Sequence, residues 1–237
     1  MARIEGIFLA KYSSELMISV PEGRLLADQG LEGDRYCHGV GTYSVFRSSR
    51  LNPGQPEPGR QLTLISLDSI EAAFQRNNLP HPTSWGDLRR NIAIRGISAE
   101  ELLNSMGHVV ELGPECTIRI HRHTVPCIYN ERKNGIPGMM ESIWNEAGVS
   151  CQVLTGGIIR VGDHVKVTSQ RAEIDDGIQS KGFYVPPSKR TSNMVKENLE
   201  RSKEQHKLFL ETDLDGVERA RRAYDSVGLT FWPREKN

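Results

Sequence analysis

The sequence has no surplus of either charge: 30 lysines and arginines are matched by 30 aspartates and glutamates. No global field therefore draws it to nucleic acid or to an anionic membrane. It lacks an apolar run long enough to span a bilayer, so no membrane is expected. The opening MARIEGIFLAKYSSE carries only a short apolar patch before charge returns, too little for a secretory core; it is expected to form an early strand. A cytosolic placement is therefore expected, with thiols kept reduced. Cys37, Cys116, Cys127 and Cys151 show neither CxxC spacing nor the pattern of a disulfide framework. No GxGxxG fingerprint follows a candidate strand, which argues against a bound dinucleotide. There is no internal repeat and no low-complexity segment.

Two textures are present. Residues 1–169 carry short apolar runs broken by Gly, Pro and Asn, the pattern of a barrel or mixed β structure. Candidate strands are Ile4–Ala10, Leu62–Ser66, Asn91–Arg95, Val109–Leu112, Cys116–His123, Val153–Ile159 and His164–Thr168. Asp68 can cap a helix over Ser69–Asn77, with Ile70, Ala73 and Phe74 on one face. Ser98, with Glu101 at capping-box spacing, can start a helix through Leu103. Tyr43–Gly59 is rich in Pro, Gly and Ser and reads as a long exposed loop. Residues 170–237 read as a linker, GFYVPPSKRTS, followed by a helical extension. Thr191–Lys207 would be a largely solvated helix. DLDGVERARRAYDSVGLTFW has Val217, Ala220 and Tyr224 at helical spacing, and its Phe231 and Trp232 are expected to pack on the first domain. The fold class expected is mainly β: a barrel with a few peripheral helices and a helical C-terminal extension.

Four clusters could carry chemistry. GLEGDRYCHG, with Gly33 and Asp34, is either an ordinary turn or a ligand loop that uses close backbone approach. Arg89, Arg90 and Asn91 open a strand; guanidinium forks suit phosphate or carboxylate, and the alternative is a solvated charge pair at a strand end. Cys116 to Cys127 can be written C-x4-H-x-H-x3-C, which invites zinc. Strand alternation argues against it, because His121 and His123 share one face while Cys116, Ile118 and Ile120 take the other. Cys127 follows Val125-Pro126, where an extended residue and a missing amide donor should end the strand. The thiol is then either a core cysteine in a loop or a group presented at a rim, where His123, Arg89 or Arg90 would favour its thiolate. The fourth cluster, TGGIIRVGDHV, reads as turns bracketing a short strand, a structural piece.

Taken in order, GLEGDR, GRQLTLIS, RRNIAIRGI, ELGPECTIRI, TVPC and VLTGGIIRVGD resemble the MOSC domain over roughly residues 20–168. This module is found at the C-terminus of molybdenum-cofactor sulfurases, in stand-alone bacterial proteins and in the cofactor domain of the mitochondrial amidoxime-reducing component. The resemblance implies a strand-rich barrel and molybdenum chemistry. Cys127 stands at the step whose cysteine binds molybdenum in members that reduce N-hydroxylated compounds. Arg89 and Asn91 match positions that contact the pterin cofactor, and Arg90, Gly33, Asp34, Thr124 and His123 complete the cofactor-binding candidates. Two segments of larger family members have no counterpart in these 237 residues: the pyridoxal-phosphate desulfurase domain and the β-rich segment ahead of MOSC. Enclosure of the cofactor would then fall to residues 170–237 or to a second subunit, as in a homodimer.

The reading that follows is a reductase of N-hydroxylated bases or amidoximes, acting on a small molecule and re-reduced by a separate flavin, haem or iron-sulfur partner. The alternatives are a carrier that holds sulfur on Cys127 as a persulfide, or passes the cofactor on, and a scaffold that has lost the cofactor.

Overall fold

The computed structural model describes residues 1–12, 15–38 and 59–172. The expected loop up to residue 58, the linker and both helices expected beyond Gln170 lie outside the described residues, as do Phe231 and Trp232.

The first strands are β1 (Arg3–Leu9), β2 (Ile18–Val20), β3 (Glu22–Leu26), β4 (Gly30–Leu31) and β5 (Leu62–Ser66). Helix α1 (Leu67–Arg76) and a 3-10 turn (Trp85–Leu88) lead to β6 (Ile92–Arg95), and α2 (Ala99–Asn104) leads to β7 (His108–Leu112) and β8 (Cys116–His123). Two short helices, α3 (Ile128–Asn134) and α4 (Met139–Ser142), precede β9 (Val149–Thr155), β10 (Gly157–Arg160) and β11 (Val165–Arg171). Eight strands form a curled half-barrel in the order β11-β7-β8-β9-β5-β6-β1-β2; β10-β3-β4 form a second sheet. The fold is mainly β, as expected.

Strands β5 and β6 run parallel, with Leu64 opposite Ile92 and Ile65 opposite Ala93. A parallel pair needs a crossover, and α1 supplies it. Leu64, Ile92 and Ile94 join the barrel interior, whereas Ile65 and Ala93 pack under Ile70, Ala73 and Phe74 of α1. Burial on both faces is why LTLIS and NIAI read as continuous apolar runs rather than alternating ones.

Two expectations are corrected. Ser66, not Asp68, caps α1, its hydroxyl accepting the Ser69 amide at 3.3 Å. Asp68 is drawn away by the Gly96 amide at 2.7 Å and by Arg95 at 3.0 Å. Val153–Ile159 is two strands rather than one: β9 belongs to the large sheet and β10 pairs with β3. The change of sheet occurs at Gly156, which lies so close to the Leu25 carbonyl that a Cβ would not fit. The last candidate strand, His164–Thr168, forms as β11 and extends to Arg171.

Asn91 is a buried clamp among three strands. Its Oδ1 accepts from the Thr63 amide (3.2 Å) and hydroxyl (2.9 Å), while its Nδ2 donates to the Phe8 carbonyl (3.3 Å). Gly148, just before β9, has φ +95° and packs on the Leu64 carbonyl, while its own carbonyl accepts the Thr124 amide at 2.9 Å. Gly148→Ala therefore imposes both an unfavourable backbone conformation and an overlap with backbone. It is expected to lower unfolding free energy by at least about 2 kcal/mol, read from the urea midpoint.

Candidate functional site

Strand β8 ends at His123, and the chain then turns through Thr124, Val125 and a buried Pro126. The Thr124 amide donates to Gly148 and its hydroxyl lies 2.7 Å from that of Ser150, so the turn is pinned to the start of β9. Pro126 has no amide hydrogen to continue the ladder. Cys127 is extended, with φ −130° and ψ 152°, and serves as the N-cap of α3. Its carbonyl accepts the amides of Asn130 (3.1 Å) and Glu131 (3.3 Å), but its sulfur makes no capping bond. The thiol is thus left to other uses. Of the four cysteines, all free, Cys127 alone is not buried. Burial raises the thiol pKa of Cys37, takes that of Cys116 to about 11, and pushes that of Cys151 higher still. Those three thiols are inert at neutral pH.

Helix α3 is held by its own polar side chains. Asn130 Nδ2 donates to the Leu88 carbonyl at 3.2 Å, and Asn134 Nδ2 donates to the Asp87 carbonyl at 3.1 Å. Both acceptors belong to the 3-10 turn, which is closed at its start by a reciprocal pair: Ser84 hydroxyl with the Gly86 amide, and Asp87 carboxylate with the Ser84 amide. The turn ends at Arg89, one of three non-glycine residues at positive φ among the described residues. The Arg89 guanidinium reaches back to the Glu15 carbonyl.

The third contribution is the GDR turn. Asp34 is fully buried; one carboxylate oxygen accepts from Arg35 at 2.9 Å and from the Ala10 amide at 3.2 Å, and the other from the Tyr36 amide at 3.0 Å. Arg35, 4 % exposed, also points an N–H at the Met17 sulfur and lies against the Tyr36 ring. On α3, the Lys133 ammonium is buried 5.0 Å from the centre of the Tyr129 ring. Arg35, Arg89 and Lys133 feel one another's charge, and Lys133 also lies within electrostatic reach of Asp87 and the Cys127 sulfur. Burial pushes Lys133 well below the ordinary lysine range; Arg89 and Arg35 add to the shift, and Asp87 and Cys127 only partly oppose it. Burial likewise lowers Arg35 against the pull of Asp34. Among the described residues, the carboxylates in electrostatic reach of Arg35 and Lys133 are Asp34 and Asp87. An anion there would relieve the repulsion among the cations.

Arg89, Asp34 and Cys127 thus converge, through Arg35 and Lys133. The other expected residues sit differently. Arg90 directs Nε to the Ala147 carbonyl at 2.6 Å and NH1 to that of Leu88 at 3.2 Å, which fastens the loop before β9. Asn91 is occupied as the strand clamp, Thr124 pins the turn, and Gly33 supplies the positive φ of the GDR turn. The expected separation of His123 from the face of Ile118 and Ile120 is corrected. The β8–β9 register shifts between Ile120 and Arg122, so that His123 stands opposite Val149, on the side of the Ile120–Cys151 and Ile118–Val153 pairs. Among the described residues, no three His, Cys, Asp or Glu side chains cluster closely enough to hold a metal ion. Sequence reasoning missed Lys133 and Tyr129 altogether, and it quoted Arg35 without giving it a role.

A family model described as the MOSC domain matches residues 50–166. The chain is a MOSC-domain protein. Of solved structures, the YuaD protein from Bacillus subtilis superposes with a TM-score of 0.57 at 18 % identity, covering 72 % of this chain and 98 % of that one. YiiM from Geobacillus stearothermophilus gives 0.52 at 13 % identity, covering 71 % and 76 %. At these identities the likeness shows the MOSC fold. No curated protein matches the chain. No helix among the described residues is long and apolar enough to cross a membrane.

The electrostatics make a stability prediction. A lysine whose folded pKa is depressed binds fewer protons in the native state than when unfolded, so it destabilises below its unfolded pKa and ceases to do so as pH rises through that value. Lys133→Met should therefore be more stable than the parent at pH 7, by about 1 kcal/mol or more. Urea unfolding from pH 7 to 10.5 should show that advantage shrinking as the pH rises.

Proposed function

We propose that this MOSC protein is a molybdenum-cofactor-dependent reductase of N-hydroxylated compounds. The observation that supports the reading is one thiol that is not buried, on the helix that carries Lys133, with Arg35 and Arg89 in electrostatic reach of that lysine. Those residue types suit the group in question. A soft thiolate is an appropriate protein ligand for molybdenum held by a pterin dithiolene, and Cys127 would provide it. Arg35, Arg89 and Lys133 would attract the cofactor's phosphate by their charge. Asp34 keeps Arg35 oriented, and Asn91 holds the strands from which Arg89 projects.

The chemistry contributed by the bound cofactor is two-electron oxygen-atom transfer. In the net reaction, an N–OH substrate, two electrons and two protons give the N–H compound and water. The chain's own part is to bind, orient and hold charge. The electrons would come from a separate flavin, haem or iron-sulfur protein, since the sequence carries no dinucleotide fingerprint.

The test is direct. Protein purified from a molybdenum-replete host that makes the cofactor should carry molybdenum and pterin, and Cys127→Ala should lose about tenfold or more of the metal. With an artificial electron donor, the loaded protein should reduce 6-hydroxylaminopurine or benzamidoxime. A parent protein without molybdenum or pterin overturns the reading. Bound cofactor with no reduction, or an added sulfur on Cys127 after incubation with a sulfurase, would assign the thiol to a carrier instead.

A further inference from the structure

The amide side chains of α3 tie the helix that starts at Cys127 to the 3-10 turn that ends at Arg89. Asn130 is 6 % exposed and sits one turn along from Cys127. Asn134, one turn further on the same face, uses one N–H for Asp87 and the other for the carbonyl of Asn130 at 2.8 Å. Their two targets, the carbonyls of Asp87 and Leu88, immediately precede Arg89. That backbone is already committed: Arg89 has φ 62°, and its amide donates to Gly86 at 2.8 Å. Among the α3 side chains whose burial is described, Asn130 and Lys133 are buried with Tyr129. Two directional bonds therefore fasten this part of the helix.

We propose that Asn130 and Asn134 are positioning residues, which set where the Cys127 sulfur stands relative to the Arg89, Lys133 and Arg35 cations. The proposal deepens the reading above in taking Cys127 as the working thiol. It rests on contacts within the chain, so it can be tested with no cofactor present. Replacing Asn134 by leucine removes the amide donor to the Asp87 carbonyl, and replacing Asn130 leaves the Leu88 carbonyl to Arg90 alone. Either change cuts a tie between the 3-10 turn and α3 and frees the start of the helix to shift. The sulfur then samples a weaker positive potential.

The probe is alkylation of the full-length chain made in a host without the cofactor. Iodoacetate, an anion, and iodoacetamide, its neutral analogue, react alike: the sulfur forms a bond to carbon as iodide leaves. The ratio of their rates at Cys127, resolved by peptide mass mapping with Cys127→Ala as the blank, therefore reports the local potential. In the parent protein the ratio should exceed that of a peptide spanning residues 124–134. It should fall by about threefold in Asn130→Leu and in Asn134→Leu, and the gap should close in molar salt. Asn134→Gln, which keeps the donor, should restore it. Far-UV circular dichroism and the urea midpoint establish which variants are folded, and Asn134→Leu, at the less buried position, is the one to use if Asn130→Leu does not fold. An unchanged ratio in a folded leucine variant overturns the proposal, as does a parent ratio equal to the peptide's. A chain that never takes up molybdenum would sink the reductase reading without moving this ratio.

Discussion

Pro126 has no hydrogen to donate, and the β8–β9 ladder cannot continue through it. The geometry of the site follows from that deficit. The chain has to leave the sheet, and the next residue is free of strand pairing on both sides. Because Cys127 then caps a helix through its carbonyl alone, its sulfur is not consumed by the cap. A serine or aspartate at this position would turn its side-chain oxygen inward to the helix amides, as Ser66 and Ser98 do at the starts of α1 and α2. Cysteine is a poor capping residue. Here that leaves the thiol available.

The helix that begins at Cys127 explains a second feature, the burial of charge. An amphipathic helix ordinarily buries an apolar stripe. This one buries the polar Asn130 and Lys133 beside Tyr129, and part of its attachment is by hydrogen bonds whose direction matters. Such contacts contribute little net stability, on the order of 1 kcal/mol each, but they fix position more tightly than oily packing does. Stability comes from elsewhere. The Leu, Ile and Val side chains of the barrel interior and the Phe74 cluster beneath α1 are buried almost completely. Division of labour between an apolar scaffold and a polar site allows the site to be electrostatically unfavourable by itself.

The same polar face determined what could be read from sequence. LTLIS, CTIRIHRH and the α2 cap were legible because apolar content and capping serine follow local rules. The Pro-Cys step was legible because proline's effect on its neighbours is local too. IYNERKN was not, since nothing in its pattern separates it from a solvated surface turn, and Lys133 within it gives no sign of burial. The role of Arg35 depends on Asp34, Met17 and Tyr36 closing around it, a tertiary fact. Alternation sets His123 on the face away from Ile118 and Ile120, and a single extra residue in β8 brings it onto theirs. Local chemistry therefore announced the thiol, while the charges around it came from long-range contacts.

Three separated stretches make the site: the GDR turn, the 3-10 turn ending at Arg89, and the start of α3. Each brings a cation, but the carboxylates they bring are already engaged. Asp34 is spent on Arg35 and on two backbone amides, and Asp87 on closing its own turn. A fully neutralised cluster would attract nothing, because an incoming anion would have to displace an internal partner of equal strength. Gathering the cations lowers the stability of the unloaded chain and raises its affinity for negative charge by the same interaction. Burial strengthens that coupling, since the low dielectric that depresses Lys133 also magnifies its attraction to any anion that protonates it. The cost of gathering these cations and the affinity a bound anion would gain from them are thus two readings of one interaction.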